Sequence, residues 1–441
     1  MAASSLTGWL AWLLFVLVLA GLYAGRVDRR VAMMGGAGLF LVLGGVMDFY
    51  TPRLALESIY FDTLVLLFGL SLLSDTLARS GLFAVLAERA AVYARGSGWL
   101  TLVFFSLLTY SISLFVNNLS VMVVILPITL TQCRVARLNP VPLLIAEVVA
   151  SNLGGASTMI GDFPNMIIAS AAHLHFWDFI GGMMVPCLVL LAAMLLFFQH
   201  RRVALGIAIA PDPGYRPGTL LVAQIADPYL YRLGLTVLVL TLLGFLMANS
   251  LGIRPAHVAL VAGVVLLLTG RMARESLLEA MNGGDILFFL GLFVMVGGLR
   301  AAGGLDGVTW LISTLGMGHS RLELLLLLLL SGVVTLFLNA GPATAFFIPV
   351  VGDMSGYIPG SIVWWTLSLG VLAGSSASLS GATAGSVAVT YLEREVARFP
   401  DLRTLLVPSQ GLDAAVFLRQ GLPIMAVFMS ISAVYILLMM P

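Results

Sequence analysis

Apolar runs as long as a bilayer core recur through this chain, and they constrain its fold more than any other feature. With their flanks, the windows at Trp9–Tyr23, Trp99–Phe115, Phe179–Phe198, Leu233–Met247 and Ile424–Met440 approach the ~20 residues that cross the hydrocarbon layer as a helix. Apolar residues make up 60% of the 441 and charged residues only 10%. A soluble fold of that composition would expose large apolar patches. The expectation is an all-α polytopic membrane protein, multi-pass in the inner membrane or a membrane derived from it, with the lipid bilayer as its main partner. The first span has no basic leader and no cleavage-site pattern, so it reads as a retained helix.

Several function classes fall away. The formal net charge is +1 and there is no basic stripe, so nucleic acid is not an expected partner. Every basic residue is Arg, which codon bias explains as well as any mechanism. Cys133 and Cys187 stand far apart without CxxC spacing or clustered His, which argues against a disulfide framework or a metal site. No phosphate-binding loop, dinucleotide fingerprint or Ser-His-Asp set occurs in a fitting context. Neither enzymatic activity nor a cofactor is expected, and transport would draw on a gradient or a separate subunit.

The chain repeats itself. "FDTLVLLFGLSLLSDTLARSGL" from Phe61 matches "GDILFFLGLFVMVGGLRAAGGL" from Gly284 in the order of its Asp and Gly residues. One offset of 222 pairs Gly69 with Gly291, Gly81 with Gly303, Asn117 with Asn339 and Pro127 with Pro349. An offset of 220 then pairs Gly154 with Gly374 and Gly161 with Gly381. This implies two homologous halves, 1–200 and 231–441, of about five to six spans each, joined by a polar connector at 201–230. Arg-rich stretches after the first and third spans, in the connector and at Arg394–Arg403 read as cytoplasmic, and the loop at Arg254 as external. The halves are therefore expected to be inverted repeats.

Each half has one place where apolar sequence gives way to polar, helix-breaking residues. These are the hairpin and broken helix of 116–170, with "SNLGGASTMIGDFPN" from Ser151, and of 338–390, with "LAGSSASLSGATAGS" from Leu372. Gly154, Gly155, Gly161, Pro164, Gly374 and Gly381 are the expected helix breaks. Unwound backbone survives at membrane depth only when buried in protein or lining a watery cavity. Paired breaks are thus where a substrate or ion would sit. An isolated glycine pair, by contrast, is more often a close-packing surface.

Ionisable residues inside spans are functional candidates by default. Glu147 could carry a coupling proton or be a carboxyl satisfied by the neighbouring half. Asp162 could ligate a cation or exchange a proton, or cap the half-helix starting near Pro164. Asn117, Asn118 and Asn152 supply amides that suit cations, anions or neutral solutes, and Asn339 answers Asn117. Ser157, Thr158, Asn165, Ser376, Ser378 and Thr383 add hydroxyls and an amide. Asp62 and Asp285 begin their spans and read as helix caps; Asp75 is a weaker proton-path candidate. His173 and His175 stand at a membrane edge, where they could tune a pH response.

At these residues the chain resembles the ion transporter superfamily that includes ArsB-type arsenite permeases and P-protein permeases, related to NhaD-type sodium/proton antiporters and divalent-anion/sodium symporters. The segment "IAEVVASNLGGASTMIGDFPNMII" is similar to the P-permease pattern. The resemblance implies two inverted repeats with re-entrant hairpins, often a homodimer, and binding or coupling roles for Asn117, Asn118, Glu147, Asn152, Thr158, Asp162 and Asn165. It implies a secondary transporter moving a small inorganic ion coupled to protons, with sodium/proton antiport as the alternative; a third reading is a degenerate transporter serving assembly. The chain departs from the sodium-coupled members. Its hairpin tips read Asn117-Asn118-Leu119 and Asn339-Ala340-Gly341 where those carry Ser-Asn-Thr, and Gly385 replaces an expected Asn.

Overall fold

The computed structural model describes residues 2–23, 27–207, 224–270, 283–406 and 411–440. Among them every regular element is helical, and eight helices are long and apolar enough to cross a membrane. Of the connector expected at 201–230, residues 208–223 lie outside the described residues.

The first half runs α1 (Ala2–Tyr23), α2 (Arg29–Val46), a short α3 (Pro52–Glu57), α4 (Phe61–Arg79), α5 (Leu82–Ala94), α6 (Gly98–Ser113), α7 (Asn118–Val135), α8 (Pro140–Ala156) and α9 (Phe163–Ala172). It continues as α10 (Phe176–Phe179), which passes through one π-turn into α11 (Val185–Arg201). The second half runs α12 (Pro228–Ala248), α13 (Pro255–Thr269), α14 (Gly283–Ala301), α15 (Asp306–Gly316), α16 (Ser320–Phe337), α17 (Ala340–Ser355) and α18 (Ile362–Ser375). It closes with α19 (Gly385–Arg398), α20 (Pro400–Arg403) and α21 (Ala414–Met439).

Corresponding helices make corresponding pairs, some within each half and some exchanged between halves. α2 lies on α14 as α13 lies on α4; α6 lies on α8 as α16 lies on α18; α9 lies on α17 as α19 lies on α7. Polar contacts at the helix ends fix which ends share a face. Arg29, opening α2, pairs with the buried Asp285, opening α14, at 2.5 Å. The amides of Ala226 and Asp227, just ahead of α12, donate to the Ser80 carbonyl at the end of α4, at 2.9 and 3.4 Å. On the opposite face Arg254, between α12 and α13, pairs with Asp62 at the start of α4, at 3.2 Å. α1 starts from that face, where Trp12 Nε1 donates to the Gly304 carbonyl beyond α14 at 2.6 Å, whereas α12 starts from the first. The leading spans of the two halves run in opposite senses, which is inverted topology. Arg29, Arg79 and Arg134 share one face and Arg254 the other, the arrangement expected when the arginine-rich face is cytoplasmic.

Asp62 and Asp285 differ from expectation. Both stand in first turns, and their carboxylates engage arginines from other elements, Arg29 and Arg254. Asp75 is bound to Arg79 one turn on, at 2.6 Å, so the third span offers no free carboxylate there. On the arginine-rich face Arg134, ending α7, holds Asp401 at 2.7 Å and packs over the Phe399 ring. That guanidinium keeps the Asp401 carboxyl below its ordinary range, tying the two halves together by charge.

The residues shared between the halves are backbone devices. A Cβ at Gly69 would run into the Ala259 backbone on α13, and one at Gly291 into the Met33 backbone on α2. The same missing side chain lets each exchanged pair cross closely. Gly81 and Gly303 end α4 and the α14 turn at φ +83° and +73°, where a side chain is strained. Asn117 and Asn339 are the N-caps of α7 and α17, and Pro127 and Pro349 lie inside those helices. The two-residue slip falls in the second hairpin, whose helices have 16 and 14 residues against 18 and 17.

Gly69→Leu is expected to destabilise the bundle by about 1–3 kcal/mol or more through overpacking. Gly38→Leu, which meets open space, should leave thermal unfolding in detergent unchanged. Equal behaviour of the two variants would contradict the crossing role of Gly69.

Candidate ion-binding site

α8 ends at Ala156, an irregular segment covers 157–162, and α9 begins at Phe163 with Pro164 in its first turn. In the second half α18 ends at Ser375 and α19 begins at Gly385, leaving 376–384 irregular. Every residue from Ser151 to Ser170 is buried, so the first break faces protein and not lipid, as unpaired backbone requires. Gly161 and Gly381 lie within the breaks. Gly154, Gly155 and Gly374 do not: they form the last turns of α8 and α18. Their role is close approach. Side chains at Gly154 and Gly374 would strike the carbonyls of Tyr110 and Gly332, and ones at Gly161 and Gly381 those of Ser113 and Thr335. Both breaks are therefore clamped in the same way, the first against α6 and the second against α16.

Much of the expected polar inventory builds this clamp. Thr158 donates to the Leu114 carbonyl at 2.6 Å and accepts from the Ile160 amide at 3.2 Å. Ser378 repeats the first bond with Leu336 at 2.7 Å and accepts from the Gly381 amide at 2.9 Å. Asn165 Nδ2 donates to the carbonyls of Ala156 and Thr158, at 2.8 and 2.9 Å. Its Oδ1 accepts from Ser368 on α18 at 2.8 Å. Asn117 and Asn339 use Oδ1 to cap the amides of Leu119 and Gly341, at 2.8 and 3.3 Å. Ser157 and Ser376 donate back along their helices to Leu153 and Leu372, both at 2.8 Å. Ser157 also meets the Tyr110 hydroxyl at 2.9 Å. Expected as ligands, these seven side chains each hydrogen-bond backbone of the breaks, the hairpin tips or the adjoining helix ends.

A smaller set is left facing a common space. Asn118, 1% exposed, donates through Nδ2 to Asn152 Oδ1 at 3.4 Å, while its own Oδ1 has no hydrogen-bond partner. Asn152 passes the chain of bonds to the Ser375 carbonyl of the other half at 3.2 Å. A Cβ on Gly155 would lie 2.7 Å from Asp162 Cβ and 3.0 Å from Asn118 Oδ1. The absent side chain thus lets the last turn of α8 pack closely against the Asp162 and Asn118 side chains, bringing a carboxylate residue and an unpaired amide oxygen to the same glycine. Asp162 caps α9 through Oδ1 to the Phe163 amide at 2.9 Å, which is the capping role considered from sequence. Phe163 in turn packs edge-on to Phe289, with ring centroids 5.4 Å apart.

Glu147 is not part of this cluster. Its Oε1 accepts from Thr129 on α7 at 2.8 Å and its Oε2 has no partner. Eight residues of helix separate it from Gly155, about 12 Å of rise. Thr383 keeps an unpartnered buried hydroxyl in the second break. Thr129 and Ser368 escaped the sequence reading because each meets its partner only across a hairpin turn or across the halves.

The second half lacks the cluster. Applying the two offsets, Asn118, Leu119, Asn152, Gly155, Asp162 and Asn165 correspond to Ala340, Gly341, Leu372, Ser375, Ala382 and Gly385, and Glu147 to Leu367. Among the described residues no group of three or more His, Cys, Asp or Glu could hold a metal ion.

Inverted repeats with paired, buried helix breaks define a polytopic membrane transporter. The chain belongs to the CitMHS citrate transporter family, which it matches over residues 12–370. It is 43% identical over 433 residues to the magnetosome protein MamN of Magnetospirillum gryphiswaldense, covering 98% of this chain and 99% of that one. It is 36% identical to the human P protein over 185 residues, 40% of this chain and 22% of that one. The fold is similar to that in the crystal structure of the Alcanivorax borkumensis YdaH transporter, described as having an unusual topology. That match has a TM-score of 0.58 and 16% identity, and covers 98% of this chain and 97% of the other.

Asn165→Ala removes three hydrogen bonds from the first clamp and is expected to destabilise the protein by about 2 kcal/mol at membrane bond strengths. Asn118→Ala removes one long bond and should change stability by less than about 1 kcal/mol. Thermal unfolding of both in detergent checks the order, and a larger loss in Asn118→Ala would reverse the roles assigned to them.

Proposed function

We propose that this chain is a gradient-driven secondary transporter that carries a small inorganic cation in exchange for protons at a single site in its first half. The observation that supports this most is that the unpaired Asn118 Oδ1 and the Asp162 side chain both lie against Gly155. Two oxygen donors, one of them a carboxylate, suit a bare monovalent cation or a proton in turn. Sodium/proton antiport is the form this chemistry favours over transport of an oxyanion. An anion would seek free amides at helix N-termini; those of α7, α9 and α17 each give one amide to Asn117, Asp162 or Asn339, and the start of α19, without a side-chain cap, lies in the second break outside the proposed site. A polycarboxylate such as citrate would seek a bidentate arginine, and neither the tips nor the breaks contain one.

Asp162 is proposed to bind cation and proton competitively. Glu147, buried beside Thr129, is proposed as a separate proton carrier on the α7–α8 hairpin. Division into repeats at 1–200 and 231–441 and assembly as a homodimer belong to the same reading.

A second reading has one specific support. Ala340, Ala382 and Gly385 leave the second break without the side chains of the first, as in a transporter fold retained for assembly of a membrane structure. Everted vesicles with a pH-sensitive dye separate the two. Sodium should collapse a preformed proton gradient, and Asp162→Asn, Asn118→Ala and Gly155→Ala should each lower that rate about tenfold or more, the effect of losing a charge-assisted contact or its space. Unchanged flux in all three, or full complementation of a deletion by Asp162→Asn, would favour the assembly role.

A further inference from the structure

On the face away from the arginine-rich side, α4, α9 and α13 leave between them a cavity of about 160 Å3. Asp62 and Arg254 are its exposed charged residues, Ser170, His173 and His175 line it, and Met159 is the most buried residue of its lining. At about 30 Å3 per molecule the space accommodates several waters, and polar groups at such depth persist where water or protein meets them. Met159 belongs to the irregular segment 157–162, three residues ahead of Asp162. The cavity is therefore lined by one residue of the same irregular segment that carries Asp162.

The rim carries charges from every element around it. Asp62 comes from α4, Arg254 from the turn before α13, and His173 and His175 from the turn after α9. Asp178 of α10 stands 3.7 Å from His175 Nδ1. His173 ends α9 at φ +54°, a left-handed conformation that a side chain adopts at some expense, and this turn sets both imidazoles at the rim. One ion pair spans the opening, from Arg254 Nη1 to Asp62 Oδ2 at 3.2 Å. Both partners are partly exposed, so the pair is weak and reversible.

We propose that this cavity is the external access vestibule through which a small hydrated ion reaches the first break, with the Asp62–Arg254 pair as its latch. Only the identity of the traveller rests on the transport reading above.

Single cysteines test the vestibule without any flux assay. The native Cys133 and Cys187 are buried, so the unmodified protein is the blank. Ser170→Cys is expected to react with a membrane-impermeant methanethiosulfonate in intact cells and not with reagent confined to the cytoplasmic side. Adding Arg254→Ala should raise its rate roughly two- to fivefold, the factor by which freeing an exposed ion pair shifts a closed–open balance. Met159→Cys should react from outside only in the Arg254→Ala background, and Ala256→Cys serves if Ser170→Cys does not fold. A lack of external labelling at both rim positions, or labelling from the cytoplasmic side alone, overturns the proposal. External labelling alongside full flux in Asp162→Asn would retain the vestibule and discard the site assignment.

Discussion

Backbone groups that lipid cannot hydrate govern this structure. Two interrupted helices leave amides and carbonyls unpaired at membrane depth, and each must find a partner within the protein. The fold answers with glycines that bring the broken helix against its neighbour: Gly154 and Gly161 on Tyr110 and Ser113, Gly374 and Gly381 on Gly332 and Thr335. A side-chain hydroxyl then closes each break, Thr158 on Leu114 and Ser378 on Leu336. The same clamp occurs in both halves, so inverted repetition supplies two such breaks from one design.

That design explains which features were legible in the sequence. Long apolar runs and a constant offset between halves gave the helical class, the repeat and the position of the breaks, because each depends on local pattern. The repeated residues were harder to interpret. Asn339 matching Asn117 looked like a strengthened ligand pair, yet both are N-caps, the kind of backbone service that any two copies of a hairpin need. Asn165 likewise carried a ligand's chemistry, but its three hydrogen bonds depend on segments brought together only by the fold, Ser368 among them. Spacing along one helix cannot reveal a partner on another.

Residues unique to one half carry the better functional signal. Asn118, Gly155 and Asp162 meet in the first half, where their counterparts are Ala340, Ser375 and Ala382. Scaffold requirements are the same in both halves, so they do not account for this difference. One half sets a carboxylate residue and an amide oxygen against a glycine, and the other keeps the same clamp with Ala340, Ser375 and Ala382 in their places. The CitMHS family name points to citrate, but the absence of arginine at tips and breaks fits a bare cation better than a polycarboxylate.

The central claim, one cation site confined to the first half, is open to direct observation. Crystals soaked in thallium should show a single anomalous peak beside Gly155, between Asn118 Oδ1 and the Asp162 carboxylate. Matched peaks at both hairpin tips, or a peak only at the second, would contradict it.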